Sequence, residues 1–272
     1  MSANQRGPQV DSEFFSVPRP RTYAHRGASG EFPENTMVAF QAAADCGAPY
    51  FELDVHMTCD GEIVVHHDPD LARTCGQPAD IRALTWNEVG RADAGHEFTS
   101  DRGGSFPFRG KNVRVPLLTE LFASFPRQRM LIEIKQESPS LVEPLLRLID
   151  ASQMRRRVAV VSELQRPVDE VRAVAPHLPT NLPYGEIIGF MQALAARDRN
   201  YRPRGNALQV PPEYEGWKLA MPEIIGFAHE VGLQFDVWTV NDEAEMRALL
   251  DAGVDGIITD YPSRMLGLLR NA

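Results

Sequence analysis

Three cysteines in 272 residues, Cys46, Cys59 and Cys75, are too few and too unevenly spaced for a disulfide framework or a cysteine-based zinc site; a reducing compartment suits them best. Positive charge is also in short supply. The 28 Lys and Arg residues face 37 Asp and Glu, and the net −9 repels polyanions, arguing against a nucleic-acid partner or an anionic membrane. A small phosphorylated ligand stays compatible, because a few local cations outweigh a distant negative surface. Residues 1–20 contain neither the apolar core of about 7–15 residues nor the small-residue cleavage pattern of a secretory signal. No membrane anchor is legible there either. The chain therefore reads as cytoplasmic, with a loose N-terminal tail over 1–20 and no stable membrane association. With 43% hydrophobic and 24% charged residues, disorder, collagen and coiled coil are excluded.

From residue 21 onward, short apolar runs alternate with amphipathic stretches, as a parallel sheet with crossover helices requires. Eight runs qualify as strands: Thr22–His25, Tyr50–Val55, Met130–Ile134, Val158–Val161, Pro179–Pro183, Ala207–Val210, Gln234–Thr239 and Gly256–Thr259. Met37, Phe40 and Ala44 predict a helix over Thr36–Cys46 that closes on Gly47. Asp242 and Glu245 have the spacing of a capping box, and Met246, Leu249 and Leu250 form the buried stripe of what reads as the last helix, ended by Gly253. Eight strand-and-helix units predict an α/β fold, a (β/α)8 TIM barrel spanning 21–272 as one catalytic domain. One interval breaks the rhythm. After the second strand comes MTCDGEIVVHHDP, where Asp60-Gly61 signals a hairpin and no helix fits. Residues 69–115 then show no sustained period and read as an insertion beside the barrel mouth. Within it, Gly103 and Gly104 lack the context of a phosphate-binding loop and read as plain loop.

Polar residues at the C-terminal ends of barrel strands are the default catalytic candidates. The first run ends in His25-Arg26-Gly27, although a His beside an Arg is by itself commonly a surface accident. Glu52 and Asp54 stand two apart, so both carboxylates face the same way; between Phe51, Leu53 and Val55 they call for a cation, the alternative being an exposed edge strand. Glu133 and Lys135 repeat the pattern on the third run. Three carboxylates with no nearby cysteine favour a hard, oxygen-loving ion, Mg²⁺ or Ca²⁺, over zinc. The returning hairpin arm ends in His66-His67-Asp68, close to Glu52 and Asp54. Two histidines, one divalent cation and Arg and Lys anchors are what phosphodiester hydrolysis needs: a base, an acid, charge neutralisation and oxyanion clamps.

Taken in order, HRG at 25–27, PENT at 33–36, ELD at 52–54, TCDG and VVHHD within 58–68, EIK at 133–135, VWTVN at 237–241 and DGIITD at 255–260 resemble the glycerophosphodiester phosphodiesterase family. The match runs from about residue 22 to 265. It implies the same barrel with an insertion after the second strand, and metal-dependent hydrolysis of a small glycerophosphodiester to glycerol 3-phosphate and an alcohol. It also implies that His25 and His67 are the general acid/base pair, that Glu52, Asp54 and Glu133 bind one divalent cation, Mg²⁺ or Ca²⁺, and that Arg26 and Lys135 hold the phosphate. Trp238 would line the alcohol pocket, with a core tryptophan as the alternative. Glu34 and Asn35 fall in supporting positions, helix capping being the competing reading; His66 and His56 are left without a role. Two other functions remain open. A lysophospholipase D-like or phosphoinositide phospholipase C-like enzyme would need an apolar mouth, for which the insertion offers Phe98, Phe106 and Phe108. A non-catalytic barrel would keep the metal as a structural or sensing element.

Overall fold

Period-two alternation divides each apolar run into side chains that meet helices and side chains that fill the centre of a ring. The computed structural model describes residues 13–270 and shows that division strand by strand. β1 (Arg21–His25) leads through α1 (Met37–Asp45) to β2 (Tyr50–Met57), which turns straight back as β3 (Ile63–Val65). An excursion follows through β4 (Asp70–Leu71), α2 (Ala72–Cys75), β5 (Gln77–Asp80) and α3 (Trp86–Val89), before α4 (Leu118–Ser124) returns the chain to the sheet. Next come β6 (Arg129–Ile134), α5 (Val142–Ala151), β7 (Val158–Val161), α6 (Gln165–Val174), α7 (Tyr184–Ala195) and β8 (Ala207–Val210). A small hairpin, β9 (Glu213–Tyr214) and β10 (Trp217–Lys218), precedes α8 (Pro222–Glu230), β11 (Gln234–Val237), α9 (Glu243–Ala252), β12 (Gly256–Thr259) and α10 (Pro262–Arg270).

Seven parallel strands curl in the order β7-β6-β2-β1-β12-β11-β8, with β3 antiparallel on β2. The expected fifth strand, Pro179–Pro183, is not a full ladder member. It makes one parallel bridge, Asn181 to Ala207, and stitches the two ends of the curled sheet together through Val160 N to Pro179 O at 3.0 Å and Leu182 N to Ala207 O at 2.9 Å. The reason is local: Pro179 and Pro183 have no N–H to donate. The Asn181 amide takes over from the backbone, donating to Ser162 O and accepting from Ser162 N. The architecture is a TIM barrel, with the insertion after the second strand where the sequence places it.

The outward set of β2 and β6 (Phe51, Leu53, Val55, Ile132, Ile134) packs with Phe40, Leu145 and Ile149 of the surrounding helices. The inward set forms a smaller core of Tyr23, Tyr50, Leu131, Ala159, Val161 and Ile258. Phe14 completes that inner core from below. Only 1% exposed, it meets Tyr50 edge-on at 5.1 Å, and its carbonyl accepts from the Tyr50 hydroxyl. This corrects the reading of 1–20 as a loose tail: residues 13–20 pack under the barrel, and residues 1–12 lie outside the described residues. The helix read as the last is observed as α9, capped by Asp242, but α10 follows it and buries Met265 and Leu268. The insertion has its own core of Leu71, Cys75, Ile81, Val89, Val113 and Val115 despite its lack of period. Among the described residues, no helix is long and apolar enough to cross a membrane.

Candidate active site

Strand register assembles the polar cluster. Parallel pairing sets His25 beside Glu52 and Asp54 beside Glu133. Because β2 and β6 bury both faces, Glu52 and Asp54 are 5% and 1% exposed. One ligand atom from each of Glu52, Asp54 and Glu133 lies within 4.8 Å of the others. The HRG turn is built on unusual backbone. Arg26 has φ of 54° and Gly27 of 84°, and a Cβ on Gly27 would stand 2.6 Å from the Ala39 carbonyl carbon, so only glycine lets the strand end lie this close to α1. The turn also brings Arg26 N to Glu52 Oε2 at 3.1 Å and Arg26 Nε to Asp54 Oδ2 at 3.1 Å.

Each candidate histidine is clamped by a carboxylate at Nδ1. His25 Nδ1 lies 2.6 Å from Asp260 Oδ1, and His67 Nδ1 lies 2.6 Å from Asp68 Oδ1. An ionised carboxylate only accepts, so both Nδ1 atoms carry the hydrogen and Nε2 is left for the cavity that both rings line. Asp260 is itself held by Ser29 Oγ at 2.8 Å and Asn241 Nδ2 at 2.6 Å. Asp68 accepts from Arg73 Nε at 2.6 Å, Arg73 reaches Glu34 at 2.6 and 2.7 Å, and Glu34 accepts from Arg26 at 2.9 Å. An unbroken chain of charge-assisted bonds thus ties the hairpin histidine to the HRG turn. Lys135 Nζ sits 2.8 Å from Glu133 and 3.4 Å from Asp54. Trp238 is half-buried on the cavity wall.

The sequence pattern of the "Glycerophosphoryl diester phosphodiesterase family" matches residues 25–264. The chain belongs to that family. It is 32% identical to a glycerophosphodiester phosphodiesterase of Caldanaerobacter subterraneus subsp. tengcongensis, over 91% of this chain and 96% of the relative. It is 27% identical to a lysophospholipase D of Mus musculus, over 92% and 86%. The crystal structure of a glycerophosphodiester phosphodiesterase from Agrobacterium tumefaciens superposes with a TM-score of 0.73 at 25% identity, covering 91% of this chain and 99% of that one.

The family member's carboxylates carry electrostatic tension. Burial, and then the charge of Asp54, pushes Glu52 up to about 7. Burial pushes Glu133 up to about 8, with Lys135 opposing and Asp54 and Glu52 adding to it. Burial would raise Asp54 as well, but Arg26 and Lys135 hold it below the ordinary range. Its Oδ1 is buried and accepts no hydrogen bond. An all-oxygen donor set, with an Asp54 oxygen that accepts no hydrogen bond and has only the Lys135 ammonium at 3.4 Å, and with two reluctant neighbours, fits a hard divalent cation, which would relieve the repulsion. The histidines differ. Burial lowers both, yet Asp260 and Glu52 raise His25 overall, whereas His67, with Arg26 and Lys135 nearby, stays below its ordinary value.

All eight residues singled out in the sequence converge here. Glu34 and Asn35 do not cap α1, which Thr36 caps; Asn35 donates to Asp54 Oδ2 at 2.8 Å and Glu34 bridges Arg26 to Arg73. His66 is buried between Asp68 O and Thr74 Oγ1, both at 2.9 Å, and shapes the loop that carries His67. His56 is buried beneath the same loop, 3.0 Å from the His67 carbonyl. Asp260 and Arg73 were not singled out as site residues. The rule for strand ends points to Asp260, one residue beyond β12, but nothing local distinguishes Arg73 from other arginines in the insertion.

Proposed function

We propose that the chain hydrolyses glycerophosphodiesters to glycerol 3-phosphate and a free alcohol, with one divalent cation, Mg²⁺ or Ca²⁺, held by Glu52, Asp54 and Glu133. The observation that carries this reading is the convergence of three carboxylates, Glu52 and Glu133 of them lining the cavity, beside two histidines, each fixed by its own carboxylate. Bound there, the cation supplies charge neutralisation at the phosphate oxygens. Arg26 and Lys135 line the same cavity and clamp the phosphate, which takes over part of their pairing with Asp54, Glu34 and Glu133. The hydroxyl of the glycerol neighbouring the ester attacks phosphorus. One of His25 and His67 takes its proton at Nε2, and the other gives a proton to the departing alcohol; water then opens the cyclic phosphate with the two roles exchanged. Asp260 and Asp68 hold the rings in the tautomer this exchange needs and stabilise the charged form of each.

Trp238 forms part of the wall that receives the alcohol. We place the reaction in the cytoplasm, where three unpaired thiols persist and small phosphodiesters are accessible. The test is a product assay on glycerophosphocholine, glycerophosphoethanolamine and glycerophosphoglycerol with Mg²⁺ or Ca²⁺. Glycerol 3-phosphate is expected from at least one of them, with a loss of ~10³-fold or more in EDTA and recovery on adding metal. Absence of glycerol 3-phosphate from all three, or full turnover in chelator after exhaustive dialysis, would refute the reading.

A further inference from the structure

The cavity that holds the charged cluster extends far beyond it. It is continuous over about 840 Å³, with His25, Glu52, His67 and Glu133 at one end. That is near the upper end of small-molecule pockets, roughly 300–1,000 Å³, and a glycerophosphate needs only its polar end. The far end is walled by Leu164, Tyr184, Ile187, Ile188, Met191 and Tyr214.

α7 supplies most of this wall, and its composition is unusual. Phe190 and Ala193 are buried in the core, yet the other side of the helix is largely apolar: Ile188 is 46% exposed and Tyr184 59%, with Gln192 the polar member of the same row. A surface helix ordinarily turns charged or polar residues to water on the face away from the core. Eight large apolar side chains are exposed among the described residues. Leu164, Tyr184, Ile188 and Tyr214 all line this cavity, and Trp217 and Met221 sit in and just after the hairpin that adjoins it. Scattered exposed apolar residues mean nothing, but a contiguous set opening from a reaction site marks a binding surface. The phenylalanines of the insertion do not contribute. Phe108 packs against Phe32 and Phe98, and Phe106 is covered by the Arg109 guanidinium at 3.8 Å.

Resting on the phosphodiesterase reading above, we propose that this trough takes one hydrocarbon chain, and that the preferred substrates are single-chain amphiphilic glycerophosphodiesters. The trough is continuous with the phosphate end of the site, so a chain attached to the diester enters it without leaving the reacting group. Attachment is possible on either side of phosphorus. A chain esterified to the glycerol leaves the neighbouring hydroxyl free and yields an acylglycerol 3-phosphate; a chain on the other side leaves as a fatty alcohol. In both cases the neighbouring glycerol hydroxyl displaces the alcohol, whose oxygen takes a proton as its bond to phosphorus breaks; one water then opens the cyclic phosphate, its hydroxyl joining phosphorus and its proton going to the freed glycerol oxygen.

The test uses the metal-loaded enzyme and compares kcat/KM for glycerophosphocholine with two homologous series held below their critical micelle concentrations. One series is monoacyl glycerophosphocholines; the other is glycerol 3-phosphate esters of straight-chain alcohols. In one series kcat/KM should rise on the order of threefold per added methylene until the trough is filled, and the series that rises identifies the side on which the chain is carried. Ile188→Asp, on a half-exposed position the fold tolerates, should lower the ratio of chain-bearing to chain-free kcat/KM by about tenfold or more, with Met191→Ala lowering it less. Flat series beside good turnover of glycerophosphocholine overturn the trough and leave the phosphodiesterase reading standing. An unchanged ratio in both variants, or a rise that begins only when micelles form and so reports a surface rather than a chain site, also overturns it. No turnover of any diester removes both.

Discussion

On one side of the barrel mouth β1, β2 and β6 crowd three carboxylates, Arg26, Lys135 and His25 into a buried patch, with His67 delivered from the hairpin arm; on the other, β7, β8, β11 and α7 present a wall dominated by hydrocarbon, with neutral Gln192 and Gln209 among it. The first side is held rigid by bonds that cross long stretches of sequence, His25 to Asp260 and Arg73 to Glu34. On the second side Arg172 and Gln165 hold Glu186 and Gln209 donates to Asp236, while Tyr184 and Ile188 stand exposed at the cavity. Strand ends of one barrel are therefore not equivalent. Charge that must be fixed sits where neighbouring strands share register, and surface that need only exclude water sits on a helix and a small hairpin.

The sharpest way to break this division is through the histidines. His25→Ala and His67→Ala should each lower kcat by ~10²–10⁴ with a modest change in KM, as loss of a general acid or base does. His66→Ala should act mainly on stability, since that ring braces the loop rather than lining the cavity. A p-nitrophenyl diester, whose leaving group needs no proton, should rescue only the variant that lacks the acid; equal rescue of both would dissolve the assignment.

Glu133→Gln should weaken metal binding by about 10²-fold in a calorimetric titration, and the same variant tests the electrostatic tension in the metal-free protein. Glu52 and Glu133 are pushed up to about 7 and about 8, against about 4.3 for glutamate in an unfolded chain. Between these values the native state keeps protons the unfolded state has released, so stability is intact below about pH 4.3 and falls as pH rises through 7 to 8. The Tm of chelated wild type should thus drop between pH 5 and pH 8, the drop should shrink in Glu133→Gln, and Mg²⁺ or Ca²⁺ should restore Tm at pH 8. A pH-independent Tm in chelator would contradict the buried-triad electrostatics.

Asp260→Asn should cost up to about 10⁴-fold in kcat with little change in KM, because an asparagine amide can donate to Nδ1 and so favour the tautomer that the exchange cannot use. Its diagnostic signature is a pH–rate profile whose His25 limb moves to lower pH, since Asp260 is what holds that imidazole up against burial. A loss of activity with an unmoved profile would make Asp260 a merely structural residue. Smallest of all, Trp238→Ala should raise KM about 3–10-fold and leave kcat nearly intact, the behaviour of the wall rather than of the reacting cluster.

What could be read in advance follows the same split. Glu52 and Asp54, or Glu133 and Lys135, announce themselves because acids and bases spaced by two in apolar strands are costly without partners. Asp60-Gly61 gives away the hairpin that delivers His67. Arg73 and Asp260 are harder, since their partners lie 39 and 235 residues away and no local period encodes a contact of that kind. Residues 13–20 look loose because Pro18 and Pro20 break any pattern, yet Phe14 is buried by an aromatic cage that exists only in three dimensions. The sequence offers the insertion's phenylalanines as an apolar wall, whereas α7 looks there like an ordinary buried helix; only its exposure reveals a second apolar face.

The pairing of His25 with Asp260 has a consequence for the chain during its synthesis. β1, β2 and β6 lie within residues 21–134, so the acidic triad can assemble before the later strands are made. β1 finds β12, and His25 finds its carboxylate, only after the 235-residue separation between them has been made. Contacts of such long range close late because the loop they close is long. A nascent product, or one terminated before β12, would hold the acids without the oriented imidazole, and competence would arrive with β12.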